Sequence, residues 1–223
     1  MKENHDVQAP DSLAEQIADY LAERIIRGEL APAERIQEQK VTQALNVSRG
    51  SVREALLILE RRHLVAILPR RGAHVTELDE RSVRSLCTLM SEFYILLGNA
   101  VAQRWRNEDE LRPFLDIQQR LQVAHAVGDI EAFVAESFEV MRAAYPFADN
   151  PFLQETVENL QPAMSRAYYL SLDQRQANMV DYLGLFSHLL EAVVLRDLPR
   201  IREVLTAYGQ RSCELVLAAL ARP

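Results

Sequence analysis

The chain has few of the residues on which metal, disulfide or nucleophile chemistry depends. Its 223 residues include two cysteines and five histidines, and their spacing is not typical of a metal site or a disulfide framework. It contains no glycine-rich phosphate loop and no nucleophile–base arrangement. These absences argue against an enzyme. Because we also find no export signal, we expect Cys87 and Cys213 to be reduced core thiols in a cytosolic protein.

Long hydrophobic runs are also missing. No apolar run approaches the length of a membrane span, and the N-terminal sequence Met1-Lys-Glu-Asn-His-Asp6 lacks the apolar core of a signal peptide. We therefore expect a cytoplasmic protein with no membrane partner. Its hydrophobic share of 48% is ordinary for a globular protein, and its length allows one large or two small domains.

The most informative segment is residues 46–61, which predicts a helix with one apolar side. Ser48 is a good N-cap, because its hydroxyl can accept a backbone N–H of the first turn. Four apolar residues then follow at helical spacing and predict a buried stripe: Val52, Ala55, Leu56 and Leu59. Arg49 and Arg53 are four residues apart and lie off that stripe. An exposed arginine pair near a helix start suits a helix laid in the DNA major groove, where arginine recognises guanine.

Two upstream segments complete a helix-turn-helix. Residues 13–27 predict a supporting helix that ends at Gly28, with Leu13, Ile17, Leu21 and Ile25 on its apolar side. Residues 36–45 predict a short amphipathic helix, with Ile36, Val41, Ala44 and Leu45 on its apolar side. Asn46-Val47 then fits the tight turn that joins this helix to the arginine-bearing one.

The residues downstream predict a β-hairpin. Two β-prone runs, 64–68 and 73–76, flank the basic turn Pro69-Arg-Arg-Gly72. With Arg70 and Arg71 at its tip, the hairpin would form a wing on the phosphate backbone. We therefore predict a winged helix-turn-helix domain in residues 1–76.

The net charge of −7 is unevenly divided. Residues 1–76 hold eleven basic and eleven acidic residues, whereas the remaining fourteen basic and twenty-one acidic residues carry the whole −7. Residues 48–76 contain six arginines and two glutamates, which gives this segment a net charge of +4. Local charge governs phosphate contact, so this pattern favours DNA binding. The alternative is that these arginines only form a solvated face.

From residue 79 onward the sequence predicts helices alone. The expected helices span residues 79–107, 108–127, 129–146, 150–172 with a kink at Pro162, 173–196 and 197–220. The predicted fold is therefore mostly α: an N-terminal winged helix-turn-helix with a small β wing, followed in residues 79–223 by an antiparallel all-α bundle of six or seven helices.

The N-terminal motifs resemble those of the GntR family of bacterial transcription regulators. The resemblance rests on Arg27-Gly-Glu-Leu-Ala-Pro32, Val47-Ser-Arg-Gly-Ser-Val-Arg-Glu-Ala-Leu56 and Pro69-Arg-Arg-Gly-Ala-His-Val75. The C-terminal part resembles the ligand-sensing domain of the FadR branch in its FCD form, through its helix count, its length and Asp149-Asn-Pro-Phe-Leu153.

This resemblance implies a repressor that binds a palindromic operator in double-stranded DNA as a homodimer and responds to a small-molecule effector. The expected DNA contacts are Gln39, Lys40, Ser48, Arg49, Gly50, Ser51, Arg53, Arg70, Arg71 and Gly72. The family often has Thr-Pro where this chain has Gly50-Ser51, so the base preference is expected to differ.

The FCD resemblance also implies a divalent metal held by one Asp and three His. Alignment on the local motifs places these positions at Ser137, Met141, Phe186 and Tyr208, and it places a carboxylate-binding arginine of the family at Met90. None of the four is a good ligand for a transition metal, so we expect no metal cofactor. His188 lies two residues from one position, and a different register would restore it.

A pocket lined by Met90, Ser137, Met141, Phe186 and Tyr208 would be apolar with two hydroxyls. A carboxylate would lose hydration there without a compensating charge, so an apolar or weakly polar effector is expected. Candidates for a polar mouth are Arg104, Arg166, Arg175 and His188. The alternative is that these residues only fill the core, in which case the protein binds DNA without an effector and the bundle only dimerises.

Overall fold

The computed structural model describes residues 12–172 and 178–222, and the chain divides into two units between Glu77 and Leu78. The first unit contains α1 (Leu13–Ile26), α2 (Glu38–Leu45), α3 (Arg49–Arg61), β1 (Val65–Leu68) and β2 (Gly72–Val75). The second unit contains α4 (Glu80–Arg104), a 3₁₀ turn (Glu108–Leu111), α5 (Arg112–Val127), α6 (Ile130–Ala148), α7 (Pro151–Leu170), α8 (Met179–Val194) and α9 (Leu198–Leu220). The predicted mostly α fold with a small two-stranded wing is confirmed.

In the first unit, α1 and α3 pack together through their apolar stripes. α1 begins with a capping box, in which the Ser12 hydroxyl accepts the Glu15 N–H and the Glu15 carboxylate accepts the Ser12 N–H. The whole predicted stripe of α3 is buried, whereas Leu13 at the start of α1 is 49% exposed. In α2, Ala44 is exposed as well. The prediction that Leu13 and Ala44 belong to the core was therefore wrong. Each lies near the end of its helix, where no neighbouring element of the described chain covers the apolar face.

The two strands pair antiparallel, with Val65 opposite Val75 and Leu68 opposite Gly72. The second strand begins at Gly72, one residue earlier than expected, because the turn consists only of the three residues 69–71. An isolated bridge joins Arg35 to His74, so the segment before α2 lies along the free edge of β2.

Four helices of the second unit begin at the caps that the sequence predicts. The carboxylates of Asp79, Asp129 and Asp197 accept a backbone N–H from the residue three positions later, at 2.7, 2.9 and 3.0 Å. Asn150 caps α7 in the same way, with Pro151 in the first turn.

α4 ends at Arg104 rather than at residue 107, because a distant arginine binds its last carbonyls. The Arg196 guanidinium donates to the carbonyl oxygens of Ala102 at 2.8 Å and Trp105 at 2.8 Å, and it lies 4.8 Å from the centre of the Trp105 ring. These bonds satisfy groups that a longer helix would have paired itself.

Three further boundaries differ from the prediction. Residues 108–111 form a 3₁₀ turn before α5 begins. α6 continues through Pro146 to Ala148, and the proline, which has no N–H, leaves out one hydrogen bond of the helix. The helix expected from residue 173 begins at Met179, and its first five expected residues, 173–177, lie outside the described part of the chain.

α4 packs against α6, α7, α8 and α9, and α5 packs against α6 and α8. α4 is also long and apolar enough to cross a membrane by length and composition alone, so the expectation that no run approaches that length was wrong. Glu92 is its only charged residue between Arg84 and Arg104. In the bundle, seven of its residues are buried in the core.

Candidate nucleic-acid interface and bundle cavity

The start of α3 is held by serine hydroxyls. Ser48 caps the helix by accepting the Ser51 N–H at 3.0 Å, and the two serine hydroxyls are hydrogen-bonded at 2.9 Å. Gly50 between them is exposed. The helix therefore presents N–H groups and hydroxyls at its exposed N-terminus, an arrangement that binds phosphate oxygens well.

Arg49 and Arg53 both project into solvent from the first turns of α3. Arg53 is 70% exposed, and its Nε donates to Glu38 Oε2 of α2 at 3.0 Å. Arg49 forms no ion pair with another residue in the described part of the chain. The Glu38 contact orients Arg53, and it could not be read from the sequence, because it joins residues on two different helices.

The other predicted contacts from the helix-turn-helix are exposed. Gln39 and Lys40 lie in the first turn of α2. Arg62, one of the six arginines in the local charge count, forms an ion pair with Asp19 of α1 instead. The positive charge of this unit is therefore concentrated on fewer arginines than the count suggests.

The wing carries Arg70 and Arg71 at its turn. Both side chains are exposed, and the Arg71 N–H donates to the Leu68 carbonyl at 3.1 Å. Arg70 and Gly72 have φ values of +63° and +85°, so the turn depends on a left-handed backbone at both positions. The Ile67 N–H donates to the Glu60 carboxylate at 3.0 Å, which ties the wing to α3.

The prediction missed Arg35. A Cβ added at Gly72 would lie 3.7 Å from two nitrogens of the Arg35 guanidinium, so this side chain packs over the end of the wing. Arg35 therefore lies beside the turn that carries Arg70 and Arg71. The available signal was weak, since Arg35 lies in a segment without helix or strand periodicity and its bridge joins it to His74, which is distant in the sequence.

The second unit contains an apolar cavity of about 80 Å³. Four of the five residues predicted for the effector pocket line it: Ser137, Met141, Phe186 and Tyr208. The fifth, Met90, is fully buried elsewhere in the core. The Met90 side chain lies in the packed interior, whereas Tyr94 and Leu97, further along α4, line the cavity.

Tyrosine and serine hydroxyls are the polar groups of the cavity wall. The hydroxyls of Tyr208 and Tyr168 are hydrogen-bonded at 2.8 Å, and the Ser137 hydroxyl donates to the Val134 carbonyl at 2.7 Å. The Tyr182 ring meets the Tyr208 ring edge to face at 5.3 Å. No charged side chain lines this cavity among the described residues.

These side chains do not fit a transition metal. A serine, a thioether, a phenyl ring and a phenol replace the carboxylate and imidazoles that such an ion requires. Within residues 12–172 and 178–222, no group of three or more His, Cys, Asp or Glu is placed to hold an ion. His188, the residue of the alternative register, is exposed and does not line the cavity.

Neither Arg104 nor Arg166, which were expected at a polar mouth, lines the cavity. Arg104 binds the carbonyls at the end of α6, and Arg166 is buried outside the cavity, where burial lowers the pKa of its guanidinium. Arg175 lies outside the described residues. A smaller chamber shares Ser137, Tyr182, Leu185 and Tyr208 with the main cavity, and Arg211 lines it. Arg211 donates to the Asn178 side-chain carbonyl at 2.6 Å.

Both units match known protein families. Residues 13–75 match the gntR family of bacterial regulatory proteins, and residues 89–211, more than half of the chain, match the FCD domain. The chain is 26% identical over 211 residues to the HTH-type transcriptional repressor RspR of Escherichia coli K12, covering 91% of this chain and 88% of that protein. It is 24% identical over 206 residues to the HTH-type transcriptional regulator McbR of the same strain, covering 92% and 93%.

Solved structures share the fold. The structure of E. coli McbR/YncC aligns with a TM-score of 0.78 at 21% identity, covering 94% of this chain and 99% of that one. A GntR regulator from Rhodococcus sp. RHA1, described as putative, aligns with a TM-score of 0.73 at 19% identity, covering 96% and 100%.

Proposed function

Because the chain belongs to the GntR family of transcriptional regulators and carries an FCD domain, we propose that it is a repressor that binds a palindromic operator as a homodimer. A small molecule in the helical bundle changes its DNA affinity. The observation that carries the DNA-binding proposal is the exposed pair Arg49 and Arg53, on a helix whose opposite face is buried. The relatives are regulators, which agrees with a cytoplasmic protein without catalytic activity.

In this proposal α3 lies in the major groove. Arg49 and Arg53 read base edges, and the start of the helix receives a phosphate on the groups of Ser48, Gly50 and Ser51. The remaining contacts go to the DNA backbone: Gln39 and Lys40 from α2, and Arg70, Arg71 and Gly72 from the wing, to which we add Arg35.

The homodimer is supported by an unpartnered apolar stripe on α4. Leu89 and Leu96 are 44% and 53% exposed, and they lie one heptad apart. Leu86 and Phe93, three residues before each of them, are half-buried on the same side. A twofold pairing of this stripe would cover it and would match the two half-sites of a palindrome.

The effector is an uncharged, apolar or weakly polar metabolite that binds without a metal. The cavity supports this class, since its wall is hydrocarbon and aromatic apart from a few hydroxyls. An ionised carboxylate in such a wall would lose hydration at a cost of several kcal/mol, on the order of what an unpaired buried charge costs. Tyr208 and Ser137 orient the ligand.

The second candidate is a regulator without an effector, whose bundle only dimerises. A tightly filled bundle core would favour it. The cavity of about 80 Å³ favours the first candidate, because it has room for several water molecules or for a small compact ligand.

DNA binding is tested by selecting operators from a random pool of duplexes and measuring affinity by fluorescence anisotropy. The double variant Arg49→Ala/Arg53→Ala should lose the preference for the selected sequence but keep weak binding to any duplex. Arg106→Ala removes an exposed arginine of the helical bundle, as a matched control, and should bind normally. Normal selectivity of the double variant would refute the assignment of α3.

Dimerisation is tested with Leu96→Glu, which places a charge on the exposed apolar stripe of α4. Light scattering should show that this variant dimerises about 30-fold or more weakly than the wild type.

Effector binding is tested by thermal unfolding of metal-stripped protein with divalent metals, small carboxylates and apolar metabolites. A ligand of the native state raises the midpoint by mass action. Stabilisation by an apolar compound alone supports the proposal, provided that Ala144→Leu, which fills the cavity, abolishes it. Stabilisation by Zn²⁺ or Ni²⁺ with a carboxylate would instead show a metal-dependent sensor. Stabilisation by none of the compounds would favour the second candidate, a bundle that only dimerises.

A further inference from the structure

The two cysteines are 126 positions apart in the sequence, yet the bundle places them on facing helices. Cys87 is on α4 and Cys213 is on α9, and both line one groove of about 380 Å³ between these helices. Both are thiols rather than a disulfide, with Cys87 buried and Cys213 half-buried. Neither cysteine contributes to the DNA surface or to the apolar cavity.

The contacts between the two helices show at which level along them each cysteine lies. At Gly209 the backbones nearly touch, since an added Cβ would lie 3.9 Å from Ser91 Cα. Further along α4, a Cβ added at Gly98 would lie 3.0 Å from Ile201, which precedes Gly209 on α9. Later residues of α4 therefore meet earlier residues of α9, and the helices are antiparallel.

Cys87 and Cys213 occupy matching positions in this register. Cys87 is four residues before Ser91, and Cys213 is four residues after Gly209. Residues four apart lie one turn apart on the same face of a helix. Because the helices are antiparallel, the step from Ser91 back to Cys87 and the step from Gly209 on to Cys213 run in the same direction in space. The two cysteines therefore lie opposite each other, one helical turn from the contact between Ser91 and Gly209.

We propose that Cys87 and Cys213 form a reversible intramolecular disulfide when the protein meets a peroxide. The sulfur of Cys213 meets the oxidant first, because it is the more exposed one. It bonds to one peroxide oxygen while the O–O bond breaks, which gives a sulfenic acid and one water. The Cys87 thiol then attacks that sulfur. The S–S bond forms, the S–O bond breaks, and the oxygen leaves with the thiol proton as a second water.

In the net reaction two thiols are oxidised to one disulfide and one hydrogen peroxide is reduced to two waters. The cross-link joins α4 to the helix that carries Leu205 and Tyr208 into the cavity wall. Oxidation therefore restrains the cavity in addition to stabilising the bundle, and a thiol reductant reverses both effects.

The test treats the full-length protein with hydrogen peroxide and measures its intact mass, its alkylatable thiols and its mobility on a non-reducing gel. The expected product is a monomeric chain that has lost two hydrogen atoms and both reactive thiols, with Cys87 and Cys213 joined in one peptide pair. Its unfolding midpoint should rise by about 5–15 °C, because the bridge closes a long loop, and dithiothreitol should reverse the shift.

Cys87→Ser and Cys213→Ser should each abolish the mass loss and the stabilisation. The wild-type measurement decides the proposal even if a variant folds poorly. Two alkylatable thiols after treatment, a covalent link between two chains, or added oxygen without a cross-link would each show that the proposal is wrong.

Discussion

The Nε of Arg53 donates to Glu38 Oε2 at 3.0 Å, so the arginine that we assign to base reading is held by the preceding helix. This contact occupies one edge of the guanidinium and leaves its terminal nitrogens for a ligand. Two parallel N–H groups are what guanine O6 and N7 require. Glu38 therefore orients the arginine, but it also places a negative charge close to the DNA surface.

Arg53→Ala should weaken operator binding by about 1–3 kcal/mol, because a bidentate base contact is lost. Anisotropy titrations with the operator and with an unrelated duplex separate this loss from a general one. The variant should bind the unrelated duplex almost as well as the wild type does. An unchanged operator affinity would show that Arg53 does not read bases.

Glu38→Gln separates the two roles of the carboxylate. Loss of one negative charge should strengthen binding to an unrelated duplex. Loss of the ionic contact with Arg53 should lower the specificity, measured as the affinity for the operator divided by the affinity for the unrelated duplex. In an Arg53→Ala background the same substitution should leave that ratio unchanged. A lowered ratio in that background would mean that Glu38 acts independently of Arg53.

The wing predicts a different dependence on salt. Arg71→Ala should weaken binding to all sequences alike and should reduce the slope of log affinity against log salt by about one, because one phosphate contact is lost. Arg35→Ala should behave in the same way if it supports the wing surface as its position over Gly72 indicates. Arg106→Ala serves again as the control. A loss confined to the operator would assign these arginines to base recognition instead.

Local patterns carried most of what the sequence predicted correctly. The Ser48 cap, the buried stripe of α3 and the Asp79 cap each depend on residues within two turns of one another. Alignment on the local family motifs likewise predicted that Ser137 and Tyr208 line one cavity, because it fixes the position of each residue along its helix. Such features survive in the sequence, because their partners are close along the chain.

The features that were missed depend on contacts between distant segments. The end of α4 is set by Arg196, ninety-two residues beyond Arg104. Arg35 meets the wing through its bridge to His74, and Arg211 of α9 lines the smaller chamber beside the cavity. Met90 was misplaced because alignment with the family arginine gives a position along α4 but does not decide between packed core and cavity wall.

The contact between α4 and α9 predicts a large effect of a single methyl group. In Gly209→Ala, the new Cβ would lie 1.8 Å from Ser91 Oγ and 3.0 Å from Ser91 Cβ. The Ser91 hydroxyl must therefore rotate away, and the two helices must shift slightly to relieve the contact with Ser91 Cβ. The expected loss is about 1–3 kcal/mol of unfolding free energy. Denaturant titrations followed by Trp105, the single tryptophan, report on this unit.

Two further variants test the cause of that loss. Ser91→Gly removes the side chain that the new methyl group would meet, so the double variant Ser91→Gly/Gly209→Ala should recover part of the stability. Gly184→Ala is the matched control, because its added methyl group meets nothing within 4 Å, and it should stabilise the helix by about 0.5–1 kcal/mol. Equal losses with and without the Ser91 side chain would contradict this explanation.

A buried hydroxyl predicts the behaviour of the bundle at alkaline pH. Tyr145 Oη is buried and has no hydrogen-bond partner in the described part of the chain. Burial, and then the charge of Glu158, raises the pKa of Tyr145 from 10.0 to about 12. Since the unfolded chain releases this proton first, the stability present below pH 10.0 should be lost as the pH rises toward about 12.

Tyr145→Phe removes both the unpaired hydroxyl and its titration. We expect this variant to be about 1 kcal/mol more stable than the wild type at neutral pH, because a buried unsatisfied group is costly. The difference should widen above pH 10.0. Denaturant titrations followed by Trp105 across this pH range measure both effects, and Tyr20→Phe, at an exposed ring of the first unit, is the control. A variant that loses alkaline stability as steeply as the wild type would show that another group titrates there, since phenylalanine at this position has no proton to release.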